Sequence, residues 1–258
     1  LQNMRQSSLV PYEPSQALTY GFEKYINSSA RMKVLFRELD KIYKKKEKVL
    51  IFLERRDLQP LLASIIQEKY NLENQPLIIN GEISGDARQK RVNIFQNGEE
   101  NKFNVMIISP KAGGVGITLT AANNVIHLER WWNPAVEDQC TDRAFRIGQK
   151  KDVSVYIPIA RSKISGDSSF DLILHNLLTE KRKMAEGVFM PTSIGGDNTG
   201  FGGAFGGKPQ KKINLDDIDA MEGVPFENFL FERINSIENL QCNKTPSSYD
   251  FGADLIVK

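Results

Sequence analysis

Gln139, Arg143 and Arg146 are the residues whose types and spacing could do chemistry. Gaps of four and three residues place them on one face of a helix. Guanidinium is planar, permanently charged and bidentate, so two on one stripe make a poor core face but a good fork for phosphate oxygens. An arginine set on a transferring phosphoryl group stabilises charge that develops in the transition state, an effect of about three to five powers of ten in rate. The same spacing also suits two surface arginines paired with Glu137 and Asp142. Spacing alone leaves both readings open.

The loop before this stretch, SPKAGGVGITLTAAN over residues 109–123, holds Gly113, Gly114 and Gly116. Glycines allow positive φ and close backbone approach, and successive amides in such a loop can cradle a phosphate. A tight turn between a strand and a helix would use the same glycines. The loop is not a Walker A sequence, since no GxxxxGK[ST] occurs in the chain.

The elements that must position these residues follow from periodicity. Short apolar runs at residues 48–53 (KVLIFL), 76–80 (PLIIN), 105–109 (VMIIS), 125–128 (VIHL) and 153–160 (VSVYIPIA) predict buried strands. Amphipathic stretches between them predict helices at residues 58–70, after a Ser84 N-cap, and at 134–147 with Pro134 in the first turn. A long helix is expected over residues 168–188. This alternation predicts a parallel sheet covered on both faces, with ligands at the carboxyl ends of its strands. The loops after Leu53, Asn80, Ser109 and Leu128 are therefore the ones to watch. Residues 1–47 read as a helical lead-in, 48–192 as the sheet domain with its long helix, and 193–212 as a glycine-rich linker. Patterning resumes at 213–258 as a short α+β stub.

Composition bounds the function. A net charge of only +2 means that any nucleic-acid contact comes from a local patch rather than bulk charge. The two cysteines, Cys140 and Cys242, have no metal-ligand spacing, and His127 and His175 are the only histidines. A reduced cytoplasmic setting is the expectation. No apolar run reaches the roughly 20 residues that span a bilayer, so no membrane partner is expected. A first residue Leu1 rather than Met suits a piece of a longer protein.

The order SPKAGGVGITLTAANNVIHLERWWNP, then QCTDRAFRIGQ, resembles the second RecA-like lobe of superfamily 2 helicases of the Swi/Snf type. INGEISGDARQKRVNIFQ at residues 79–96 is similar to that family's DG-x-x-x-x-x-R element. SFDLILHNLLTEKRKMAEGVF at 169–189 is similar to its brace helix. Phe145 departs from the family's usual His, and Ser109-Pro110 from Ser-Thr. Cys140 stands where a small residue is common, which suits helix packing.

The resemblance implies an ATP-dependent motor on double-stranded DNA whose first RecA-like lobe supplies the Walker A lysine and the Mg2+-holding acid. Arg143 and Arg146 match its phosphate-contacting arginines, Gln139 supports them, and Gly114 and Gly116 shape the linked loop. DNA-facing positions are Arg55, Arg56, Arg88, Lys111, Thr118 and Trp131. Arg55 and Arg56 also suit a solvated turn, and Trp131 suits packing. The lysines at 44, 45, 46 and 48 read as a solvated turn. The alternative is a strand-separating helicase or RNA-directed motor of the same superfamily. The chain alone is expected to be monomeric and inactive, and the whole protein prokaryotic and DNA-associated.

A second resemblance covers residues 224–258, which look like the start of an Mrr-type restriction endonuclease domain. It implies a divalent-metal site that includes Asp254 and the helix residue Glu227.

Overall fold

The computed structural model describes residues 8–113, 116–161, 169–189, 242–244 and 255–257. The chain divides into two compact units, one of residues 2–175 and one of residue 1 with 176–258. The first opens with three helices, α1 (Gln16–Tyr20), α2 (Phe22–Asn27) and α3 (Ala30–Lys44). Then come β1 (Lys48–Phe52), α4 (Leu58–Lys69), β2 (Leu77–Ile79), α5 (Gly85–Gln96) and β3 (Asn104–Ile108). They are followed by β4 (Asn124–His127), α6 (Pro134–Thr141), β5 (Ser154–Tyr156) and the start of α7 (Phe170–Phe189), whose residues from 176 on belong to the second unit. In the second unit, β6 (Cys242–Lys244) and β7 (Leu255–Val257) pair antiparallel, Cys242 opposite Val257. Among the described residues, no helix is long and apolar enough to cross a membrane.

The five strands of the first unit form one parallel sheet in the order β2-β3-β1-β4-β5. β1 is central and every one of its residues is buried, as a strand covered on both faces must be. Its alternate side chains feed two cores. Val49 and Ile51 meet Met32, Leu35 and Leu39 of α3 and Leu62 and Ile66 of α4. Leu50 and Phe52 meet Val92 and Phe95 of α5 and Cys140 of α6. The helical lead-in is thus part of one covering layer. Lys48 is buried too, not part of a solvated lysine turn. Its Nζ donates to the carbonyls of Phe95 at 3.0 Å and Gly98 at 2.9 Å, capping the end of α5.

Local signals account for three of the helix starts. The hydroxyls of Ser29 and Ser84 accept from the amides of Met32 and Ala87, and the Asn133 side chain accepts from Ala135 ahead of Pro134. Two expected elements are shorter. β5 stops at Tyr156, because it is an exposed edge strand and Pro158 offers no N–H to extend the ladder. α6 stops at Thr141 instead of running to residue 147. Beyond it the carbonyl of Arg143 accepts from Leu119 N at 2.8 Å, which takes it out of the helical ladder.

Candidate nucleotide-facing site

The carboxyl ends of the strands carry a connected polar layer. The ladder is prolonged one step by Leu53 N to Ile108 O, Ser109 N to Ile79 O and Leu128 N to Phe52 O. Fully buried Gln59 joins three of the loops. Its amide donates to Leu53 O at 2.7 Å and Ser109 Oγ at 2.8 Å, and its Oε1 accepts from Asn80 Nδ2 at 3.1 Å. Glu129, also buried, accepts from the amides of Glu54 at 2.7 Å and Arg55 at 3.0 Å. It thereby ties the loop after β1 to the loop after β4.

The loop after β4 is fixed from α6. Buried Arg130 forks onto buried Glu137 at 2.8 and 3.0 Å, and Trp131 N donates to the same carboxylate at 2.9 Å. Burial alone would raise the Glu137 carboxyl, but Arg130 and the Trp131 amide hold it below the ordinary carboxylate value. Arg130 Nη1 also lies 2.6 Å from His175 Nδ1. A second buried pair, Arg31 and Asp171, binds α3 to the start of α7 at 2.6 and 2.7 Å.

Gln139, Arg143 and Arg146 do not share a helical face. Only Gln139 lies on α6, and it is exposed. Arg143 and Arg146 lie on the turns beyond it. Arg143 is 5% exposed, and its Nε and Nη1 have no hydrogen-bond partner among the described residues. Burial, and then the charges of Arg146 and Arg88, work against its positive charge, outweighing help from Cys140. Arg146 is exposed, and its Nη1 donates to Gly116 O at 3.2 Å and Thr118 Oγ1 at 3.1 Å. Gly116 has φ of 52°, the left-handed conformation that glycine adopts without strain. Gly114 lies outside the described residues. Glu137, expected beside these arginines, instead pairs with Arg130, and no ion pair of Asp142 with either arginine is formed among the described residues.

The positions expected at DNA differ in their freedom. Arg55 is held by Asp57 at 2.9 Å and Glu13 at 2.6 Å. Its burial opposes the charge, but these carboxylates, Asp57 foremost, raise its pKa above the ordinary value. Arg56 is exposed and, among the described residues, meets exposed Glu82 at 3.2 Å. Exposed Lys111 places its Nζ 5.2 Å from the Trp131 ring centroid, a cation–π contact. Thr118 faces Arg146. Arg88, on α5, is half-buried; its Nη2 reaches Ile83 O at 3.3 Å and its Nε is buried without a partner among the described residues. Asp254 and Glu227 lie outside the described residues. Among the described residues, no group of three His, Cys, Asp or Glu could hold a metal.

Gln59 and Glu129 carry no motif in the sequence, and Glu137 was expected beside the motif arginines rather than on Arg130. The Gln149 amide donates to Thr120 O, Ala122 O and Ala144 O at 2.8–3.1 Å. Glu129, directly after the apolar run 125–128, is the one of these that local sequence could have marked.

A five-stranded parallel sheet flanked by helices, with a polar layer at the carboxyl ends of its strands, is a RecA-like fold. Residues 30–148 match the helicase conserved C-terminal domain. The chain is 42% identical over 152 residues to the Zorya protein ZorD of Escherichia coli, covering 57% of this chain and 14% of that protein. It is 36% identical over 151 residues to the putative ATP-dependent helicase/translocase YwqA of Bacillus subtilis, covering 58% and 16%. The chain therefore spans about one sixth or less of the length of these curated relatives. The Sulfolobus solfataricus SWI2/SNF2 ATPase core, solved in complex with dsDNA, is 31% identical over 72% of this chain and 36% of that one, with a TM-score of 0.52. Residues 30–148 are thus similar to a helicase C-terminal domain, and the fold is similar to that of an SWI2/SNF2 ATPase core.

Proposed function

We propose that this lobe serves as the second motor lobe of an ATP-dependent translocase on double-stranded DNA, with Arg143 and Arg146 directed at nucleotide phosphates held on a first RecA-like lobe. The observation that carries this reading is the Arg143 guanidinium, buried with two nitrogens unpaired among the described residues. A buried charge without a partner costs several kcal/mol, and a phosphate oxyanion is the group whose geometry best relieves that cost. The donor set fits a polyphosphate. It does not include the carboxylates that Mg2+ needs, so magnesium is assigned to the first lobe.

Arg143 and Arg146 would bind the transferring phosphoryl group and stabilise its developing charge, while Gln139 stands exposed on α6. Exposed Arg56 and Lys111, at the ends of β1 and β3, would meet DNA phosphates, with Trp131 beneath Lys111. Arg55 would join them only by leaving Asp57 and Glu13. Such contacts are sequence-tolerant and salt-dependent, as a stepping motor requires. The names of the relatives support this reading, and so does the duplex held by the Sulfolobus ATPase core.

The test is made in a protein that carries both lobes. Arg146→Ala is expected to cut DNA-stimulated ATP hydrolysis by about a thousandfold or more while leaving duplex affinity within a factor of two or so. An unchanged rate removes Arg146 from the site. The 258-residue chain by itself, which holds no Walker A sequence, is expected to give no turnover.

Coupling to a restriction-type nuclease is a further part of the proposal. It rests on the sequence resemblance of residues 224–258. Metal-dependent plasmid cleavage by the longer protein, abolished by Asp254→Ala, would establish it; cleavage untouched by that change would end it.

A further inference from the structure

Arg88 was expected at DNA, but its surroundings point elsewhere. It sits on α5 four residues before Val92 and seven before Phe95, so the three share one face. Val92 and Phe95 are buried in a cluster with Ile117, Leu119, Ala122, Cys140 and Ala144. That face of α5 is therefore turned toward the end of α6 and the segment 116–122. Gln96, at the end of the same helix, grips this segment directly: its Oε1 accepts from Ala121 N at 2.8 Å and its Nε2 donates to Thr120 Oγ1 at 3.3 Å.

The segment is held from its other side by the two motif arginines. Leu119 N donates to Arg143 O, and Arg146 Nη1 donates to Gly116 O and Thr118 Oγ1. Arg143 and Arg146 thus converge on one short stretch of chain, and Arg88, on the face of α5 turned toward it, lies near enough for its charge to oppose that of Arg143. None of the three has a carboxylate partner among the described residues. Three guanidinium nitrogens within the group, Arg88 Nε and Arg143 Nε and Nη1, are buried without hydrogen bonds there.

Like charges brought together and partly desolvated repel, and the cost stands until an anion enters. Other buried cations of this lobe have acceptors: Arg31 has Asp171, Arg130 has Glu137, Lys48 has two helix carbonyls. The cluster around residues 116–119 is an exception. A DNA backbone phosphate is a poor candidate for it, because a duplex meets exposed cations such as Arg56 and Lys111, whereas Arg88 Nε and Arg143 are buried. The terminal phosphate of a polyphosphate carries more charge on a smaller group and can enter between the side chains.

We infer that Arg88 is a third arginine of the anion site formed with Arg143 and Arg146, and that this site takes the terminal phosphate of a polyphosphate rather than a phosphate of the DNA backbone. The inference rests on the reading of Arg143 and Arg146 given above and adds a residue from a different helix. Binding of the anion would then tie α5 to the turns beyond α6 through one ligand.

The probe is pyrophosphate, titrated into the 258-residue chain and followed by the arginine Nε–Hε resonances; duplex binding is measured alongside. Arg88→Gln is expected to weaken pyrophosphate binding about tenfold or more, the value of one charge-assisted hydrogen bond, with duplex affinity unchanged. Arg56→Gln is expected to do the reverse. Arg88→Lys keeps the stem and charge but loses the planar fork, and is expected to recover only part of the affinity; it serves if the glutamine variant does not fold. Weakened binding in Arg143→Gln but not in either Arg88 variant overturns the inference and spares the reading of Arg143. Binding that is absent in the parent chain, or indifferent to both arginines, overturns both. Loss of duplex affinity in Arg88→Gln with pyrophosphate unaffected returns Arg88 to the DNA face.

Discussion

The side-chain amide of Gln149 donates to the carbonyl of Ala122 at 2.8 Å, joining positions 27 residues apart. The same nitrogen reaches Thr120 O at 3.1 Å and Ala144 O at 3.0 Å, and Oε1 accepts from the amides of Lys150 and Lys151. One glutamine therefore sutures the segment that Arg146 leans on to the turns that carry Arg143. Gln149→Ala leaves these carbonyls without their donor and is expected to cost about 2–4 kcal/mol, at roughly 1–3 kcal/mol for each group left unsatisfied. Gln149→Glu should be no better, because a carboxylate cannot donate. Urea unfolding checks both; a loss below about 0.5 kcal/mol in either would show the suture to be dispensable.

Glu137 sets the acid limit of the lobe. Its folded pKa lies below the unfolded value of 4.5, so its stabilisation is complete above that value and is lost as pH falls through the folded one. The melting temperature should fall between about pH 5 and pH 3, and Glu137→Gln should flatten that fall. Glu38 and Glu47, also held below 4.5 by their partners despite some burial, will keep part of the slope. A parallel pair of pH–Tm curves would contradict the assignment.

The Arg31–Asp171 pair is 1% exposed on both sides. Asp171 also accepts from Ala160 N at 2.7 Å, and Arg31 donates to Leu128 O at 3.3 Å. Removing either partner strands a buried charge and should cost about 3–5 kcal/mol. Replacing both with Arg31→Met and Asp171→Leu should cost far less than the sum. A double-mutant cycle on chemical unfolding measures the coupling, and additive single effects would rule it out.

Much of this architecture was legible in the sequence, and the illegible part has a common cause. Strands β1, β3 and β4 announce themselves as apolar runs because both of their faces are covered. Ser84 and Pro134 mark helix starts by chemistry within a few residues of the start itself. The end of α6 has no such local mark. What stops it is Leu119 N taking the Arg143 carbonyl, and Gln149 bonding Ala144 O, one of them from a segment two dozen residues earlier. Arg55 is paired both locally, with Asp57 two residues on, and with Glu13, which lies 42 residues away and could not be read beside it. The arginines were legible as residue types, but their differing burial depended on where the helix ended.

Cys140 is predicted to be inert. It is 1% exposed, and burial pushes its thiol up to about 12, with the nearby Arg143 charge too weak to compensate. At pH 8 essentially no thiolate is present to react. Iodoacetamide should leave Cys140 unmodified in the native chain and alkylate it in urea, as read by peptide mass. Rapid native modification would mean that the α5–α6 core opens readily.

Thr118 tests whether Arg146 is preset. Its hydroxyl accepts from Arg146 Nη1 at 3.1 Å, while the arginine stays exposed. A single exposed contact contributes little to stability, so Thr118→Val should leave unfolding nearly unchanged. Its value would lie in orientation, since an arginine released from Thr118 must be ordered when it meets phosphate, at about 0.5–1.5 kcal/mol for a side chain with many rotamers. In a two-lobe protein this predicts a loss of about 2- to 10-fold in DNA-stimulated ATP hydrolysis, with Thr118→Ser restoring most of it because the acceptor oxygen returns. An equal loss in the serine variant would assign the effect to the methyl group and its packing. No loss in the valine variant would mean that Gly116 O alone holds the arginine in place.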